Sequence, residues 1–163
     1  MSSYGDLLTI LRQQSDTVSQ LIELTTAERR AIADRDLAAL TSVTSEKTVL
    51  AERLHDLEGR RRDVALELGG AEPSGGNAPT LRELLDGASG PEADQLRALA
   101  SSLPVHLGRL GEETQVNKQL VMSALGIVTS ALEFLRPMSD APGTYGPNSN
   151  GKPTAPASLD RRA

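Results

Sequence analysis

The sequence predicts an all-α fold, an antiparallel helical bundle with coiled-coil-like seams and a disordered C-terminal tail. Three observations carry this prediction. The 163 residues include 25 Leu but no Trp, one Phe and two Tyr. Burying an aliphatic side chain contributes roughly 1.5–3 kcal/mol, and Leu, Val, Ile and Ala fit the small holes of helix–helix seams. Apolar residues also recur at three- and four-residue spacings through most of the first 136 positions, the period of an amphipathic helix. Residues 137–163 then hold five of the nine prolines, with Gly, Ser, Asn and Thr between them, a composition too poor in apolar surface to order itself. The expected organisation is a helical bundle over 1–136, with a flexible linker at about 69–79, and a disordered tail over 137–163.

The elements follow in order. Ser3 and Asp6 form a capping box that opens a first helix running to about Ala33, with Leu7, Leu8, Leu11, Val18, Leu21 and Ile22 on its apolar face. Ala33-Asp34-Arg35-Asp36 interrupts the pattern, and Asp36 suits the N-cap of a second helix. A hairpin turning near Asp34 is the expectation, with one continuous helix as the alternative. From there Leu40, Val43, Lys47, Leu50, Leu54, Leu57, Arg61, Val64 and Leu68 alternate three and four apart without a slip. This heptad seam requires a partner helix, and the preceding helix is the nearest candidate. Gly69 and Gly70 end the second helix. A second capping box, Thr80 with Glu83, opens a short helix stopping at Gly87, and Pro91 starts another that reaches about Leu103. Pro104 is expected to break or kink the chain. A last helix covers about 105–135, with Leu107, Leu110, Val121, Ala124, Val128, Ala131 and Leu135 in register. Thr114 and Asn117 interrupt that register, and a polar residue in a seam can fix the alignment of helices.

Charge and composition exclude several function classes. A net charge of −5 lacks the basic excess of a general nucleic-acid binder, and the run Arg60, Arg61, Arg62 lies between Glu58 and Asp63 on what reads as a solvated helix face. The absence of cysteine excludes disulfides and thiol chemistry and suits a reducing compartment. The N-terminus shows neither a basic n-region nor a continuous apolar h-region, so no signal peptide is expected. His55 and His106 stand singly on different helices, without the paired ligands a metal site requires. Acidic residues mostly sit at helical spacings from Lys or Arg. The expectation is no catalytic residue, no metal and no cofactor.

Two features rise above this background. In residues 120–135, Leu120, Val121, Met122, Leu125, Ile127, Val128, Leu132, Phe134 and Leu135 point all round a helix. Such a helix is either buried on every side or keeps a face for a partner. With sixteen residues and Glu133 inside, it is short for a membrane span, and no membrane insertion is expected. The second feature is Tyr145, a lone aromatic in the tail, either inert or the anchor of a short docking motif.

The order of motifs resembles the FlgN family of flagellar export chaperones. The first half is similar to that family's Leu-rich helical pair, including Asp36-Leu-Ala-Ala-Leu40 and Leu57-Glu-x-x-Arg61. A Gly-rich break and the restart Thr80-Leu-x-Glu-Leu84 follow, then Asn117 ahead of the apolar helix, and Tyr145-Gly146 after it. Thr114 stands where the family pattern has an earlier Asn. The resemblance implies a cytoplasmic chaperone that binds the terminal helices of hook-associated flagellar proteins. It implies client contacts from Asn117, Val121, Leu125, Val128, Leu132 and Leu135. Tyr145 and Gly146 would dock on the flagellar type III export gate or the associated export ATPase components. Self-association is also open to such a chain. The rival class is a structural coiled-coil scaffold that assembles through the 40–68 seam without a client.

Overall fold

The computed structural model describes residues 3–70, 79–86 and 88–139, with side chains to 136, and no strand occurs among the described residues. Four helices follow one another there: α1 (Tyr4–Asp34), α2 (Leu37–Leu68), α3 (Leu81–Leu85) and α4 (Pro91–Ser139). The chain falls into two compact units, residues 1–125 and residues 126–163. The described part of the second is the helical stretch 126–139.

The helix boundaries sit where the local chemistry places them. At the start of α1, Ser3 Oγ accepts from the Asp6 N–H at 3.2 Å, and the Asp6 carboxylate accepts from the Ser3 N–H at 2.8 Å. Those bonds to Ser3, side chain first, hold the Asp6 carboxyl below its ordinary value. The same reciprocal box opens α3, with Thr80 N–H to Glu83 Oε2 at 2.6 Å and Glu83 N–H to Thr80 Oγ1 at 3.3 Å. Here the backbone N–H of Thr80 is the main cause of a lowered Glu83 carboxyl.

The expected hairpin is present. Arg35 takes a left-handed conformation (φ 56°) that terminates α1, and Asp36 caps α2 by accepting from the Ala39 N–H at 2.9 Å. Gly69 ends α2, and a Cβ there would lie 2.6 Å from Pro79 Cγ, so only glycine lets the chain re-enter this close. Gly90, at φ 112°, supplies the turn before Pro91 opens α4. Expectations for residues 71–78, Gly87 and 140–163 lie outside the described residues.

Two expectations about α4 are corrected. The helices read on either side of Pro104 form a single helix running through it, and the helix passes Pro137 to end at Ser139. A proline removes one intrahelical bond, the one Ala100 C=O would receive. Near this point Leu99 and Leu103 pack against the core cluster. Tertiary packing of this kind contributes more to helix stability than a single backbone bond.

Cross-helix bonds give the topology of the first unit. From α1 to α2, Gln14 pairs with Glu58 at 3.2 Å and Glu28 with Lys47 at 2.6 Å, so the two helices run antiparallel. From α1 to α4, Arg12 bonds Gln95 and Thr25 bonds Asn117, with numbers rising together, so these helices run parallel. α1 therefore has neighbours on two sides and carries most of the buried residues, Leu7, Leu11, Val18 and Thr25 among them. Its first turns join the main core cluster with Ala65 of α2, Leu84 and Leu85 of α3, and Ala93 and Leu96 of α4. Tyr4 seals this end by donating its hydroxyl to the Leu84 carbonyl at 2.9 Å.

The α2 heptad behaves as its spacing predicts. Leu57 is buried and the other eight seam positions are half-buried, whereas Arg60 and Asp63 are exposed. Lys47, polar within the seam, meets Glu28. Arg61, the other polar seam position, binds Glu58 through two bonds of 2.8 and 2.7 Å. That fork, more than any other influence, lowers the Glu58 carboxyl to about 2.

Candidate functional site

The apolar stretch of α4 is exposed rather than internal. In the first unit Val121 is 39 % and Leu125 60 % exposed, and Met122 stands out beside them. In the second, Val128, Leu132 and Leu135 are each more than half exposed, and Ile127 and Phe134 more still. Every described residue from 126 to 136 is exposed. Leaving so many large aliphatic side chains in water forfeits roughly 1.5–3 kcal/mol each. Contiguous exposed apolar surface of this kind marks a site for another apolar surface.

Chain length accounts for part of the exposure. Asn117 is bonded to α1 through Thr25, Glu28 and Arg29. α1 ends at Asp34, five residues past Arg29, whereas α4 continues for 22 residues past Asn117. α4, at 49 residues, is also far longer than α1 at 31 or α2 at 32.

Asn117 differs from the apolar residues grouped with it. It is 3 % exposed, and its side chain is engaged within the bundle. Its amide N–H groups donate to the Thr25 carbonyl and to Glu28 Oε2, each at 2.8 Å, while its Oδ1 accepts from Arg29 Nε at 2.9 Å. Arg29 also pairs with Glu113. Glu28 Oε2 is held at the same time by Lys47 of α2, so a single carboxylate ties α1, α2 and α4 together. A fully satisfied buried polar group fixes register, because a one-turn slip would strand donors and acceptors away from water. This is the register-setting role that a polar seam position can have. Thr114, the other polar interruption, is exposed.

Sequence patterning flagged Asn117 and Lys47 as polar seam residues but gave no signal for Arg29 or Glu113. Those two read as surface charges until a partner helix lies beside them. Tyr145 and Gly146 lie outside the described residues. Among the described residues no group of His, Cys, Asp or Glu is arranged to hold a metal ion.

A family model described as FlgN protein matches residues 1–153. The chain belongs to the FlgN family. That family is one of flagellar export chaperones rather than enzymes, soluble and cytoplasmic in general, and membership gives this chain a general role in flagellum biogenesis. Comparison with curated proteins and with solved structures found no match to it. One described helix, α4, is long and apolar enough to cross a membrane, with an 18-residue stretch of mean hydropathy 1.3, none of it buried.

Proposed function

We propose that this FlgN-family chain is a cytoplasmic chaperone that holds helical termini of hook-associated flagellar proteins and delivers them to the flagellar type III export gate. The observation that carries the reading is the exposed apolar run of α4, with Val121, Leu125, Val128, Leu132 and Leu135 as the client contacts. An amphipathic client helix is the natural complement to such a surface, read through anchors at three- and four-residue spacings. Burying four of these residues contributes roughly 6–12 kcal/mol gross, and ordering a client segment offsets on the order of 2–5 kcal/mol of it. Asn117 acts in this reading by seating α4 on the hairpin, not by touching the client.

The same exposure would suit a membrane span, but Glu133 within the run and the general solubility of the family favour a protein partner. The scaffold alternative is disfavoured because the seam it would use is already half-buried, with Lys47 on Glu28 of α1. Tyr145 and Gly146 are proposed to dock on the export gate or its associated ATPase components after the client is held. The test is paired: client affinity by calorimetry, and secretion of hook-associated proteins in cells. Tyr145→Ala is expected to leave client affinity unchanged and to reduce secretion. Equal loss of affinity in Tyr145→Ala and in Leu132→Asp would contradict the division of labour.

A further inference from the structure

Burial along the middle of α4 follows one stripe. Leu103, His106, Leu110, Glu113 and Asn117, alternating three and four residues apart, are buried or half-buried. The bundle engages this stripe: Leu103 packs on the core cluster, Arg29 of α1 pairs with Glu113, and Thr25, Glu28 and Arg29 bond Asn117. The same alternation carried past Asn117 gives Leu120, Ala124, Ile127, Ala131 and Phe134, every one of them exposed. Ile127, at 72 %, and Phe134, at 76 %, are the most exposed large apolar side chains of the run. The proposed client contacts Val121, Leu125, Val128, Leu132 and Leu135 form a second stripe, one residue further on at each step. Its upstream counterpart, Pro104, Leu107, Gly111, Thr114 and Lys118, is exposed throughout and apolar only in part. Two apolar stripes therefore run side by side only after Asn117. Being offset by one residue, they lie about 100° apart around the helix axis.

A neighbouring helix packs its side chains against one such stripe, so a single client helix leaves the other stripe in water. We propose that the partner held by residues 120–135 presents two helices, one to each stripe, as neighbours do around each helix of a four-helix bundle. The inference rests on the reading of α4 as the client-holding surface and adds what the client must supply. Continuity supports it, because the first stripe prolongs a seam that α1 already occupies at Glu113 and Asn117. A second copy of this chain suits that stripe poorly. A twofold antiparallel pairing confined to residues 120–134 is centred on Ile127. It sets Ile127 of one copy on Ile127 of the other and Leu120 on Phe134, while Ala124 and Ala131 face the small residues Ser130 and Ser123. Interdigitation requires bulk against small instead. A partner helix with bulky residues seven apart, seated beside Ala124 and Ala131, meets that requirement. Joining both helices in one partner makes the second docking step intramolecular and so strengthens the whole.

The test uses the full chain and an intact hook-associated protein from the same cell. A photo-crosslinking amino acid is placed at position 127 in one variant and at position 132 in another, and the crosslinked segments are mapped by mass spectrometry. Two different helical segments of the hook-associated protein are expected. In calorimetry, Ile127→Asp and Leu132→Asp, both at exposed positions, are each expected to weaken binding about 30-fold or more. Circular dichroism confirms that each variant is folded, and Phe134→Asp replaces Ile127→Asp should the latter fail that check. Loss of binding in Leu132→Asp with parent-like binding in the first-stripe variant would leave client holding in place and overturn the two-helix partner. Crosslinks from both positions to one and the same client helix would overturn it too, as would crosslinks from position 127 to another copy of this chain. No binding by the parent chain, or parent-like binding in every variant, would overturn client holding and this inference with it.

Discussion

α2 and the C-terminal half of α4 carry heptad registers of similar quality, yet one is closed and the other open. All nine seam positions of α2 are buried or half-buried. In α4 the register is closed at Asn117, while Val121, Ala124, Val128, Ala131 and Leu135 are exposed. Composition does not separate them, since α2 places Lys47 and Arg61 in its closed seam while the open one is wholly apolar after Asn117. A heptad states that a helix can take a partner; it does not state whether the partner is in the same chain. For α2 the partner is α1, which arrives through a tight hairpin. For α4 the bonds to α1 include those at Gln95 and Asn117, and the most apolar residues follow Asn117 in sequence.

The largest expected effects break this comparison from its two ends. Leu96, fully buried in the core cluster, is expected to lose about 2–5 kcal/mol on truncation to Ala. Leu132→Ala, at a position 63 % exposed, is expected to change stability by no more than about 0.5 kcal/mol. Urea denaturation measures both. Comparable losses would mean that the open seam is closed after all.

Next in size is the polar junction. Asn117→Ala leaves Arg29 Nε, Glu28 and the Thr25 carbonyl short of partners, and is expected to cost about 1–3 kcal/mol. A double-mutant cycle with Arg29→Met should show coupling, as contacting residues in one network do. Additive losses would show that Asn117 is not part of a cooperative junction.

A smaller effect concerns acid. The folded Glu58 carboxyl is lowered to about 2 from an ordinary 4.5, chiefly by the Arg61 fork. Its stabilisation is therefore complete above pH 4.5 and is lost as pH falls through about 2. Because the carboxylate is partly solvated, Glu58→Gln is expected to cost about 1 kcal/mol or less at neutral pH. Melting temperature between pH 4.5 and 2 should fall less steeply in the variant than in the parent chain. The smallest effect is a gain. Arg35 ends α1 in the left-handed region at φ 56°, so Arg35→Gly should stabilise the hairpin turn by up to about 1 kcal/mol, read as a modest rise in urea midpoint.

What was legible in the sequence follows the range of the interaction. Both capping boxes, the Asp36 cap and the α2 seam depend on residues within one or two turns, and each was readable in order along the chain. The break expected at Pro104 is absent for the complementary reason. Proline chemistry is local and unfavourable, but the core cluster on which Leu99 and Leu103 pack includes Leu11 of α1 and Ala65 of α2, far away in sequence. Asn117 sits between these cases. Its polarity in an apolar register pointed to a register-setting role, whereas its partners Thr25, Glu28 and Arg29 lie 88 to 92 residues earlier and leave no trace in the local pattern.

The exposed run of α4 is proposed as a partner-binding surface, not a part of the fold. It is tested most directly by isothermal calorimetry of a hook-associated terminal helix against the parent chain and against Leu132→Asp, with circular dichroism on the same samples. Unchanged helicity and melting are expected for Leu132→Asp, together with loss of measurable binding. A variant that unfolds, or one that binds the client helix as tightly as the parent, would contradict it.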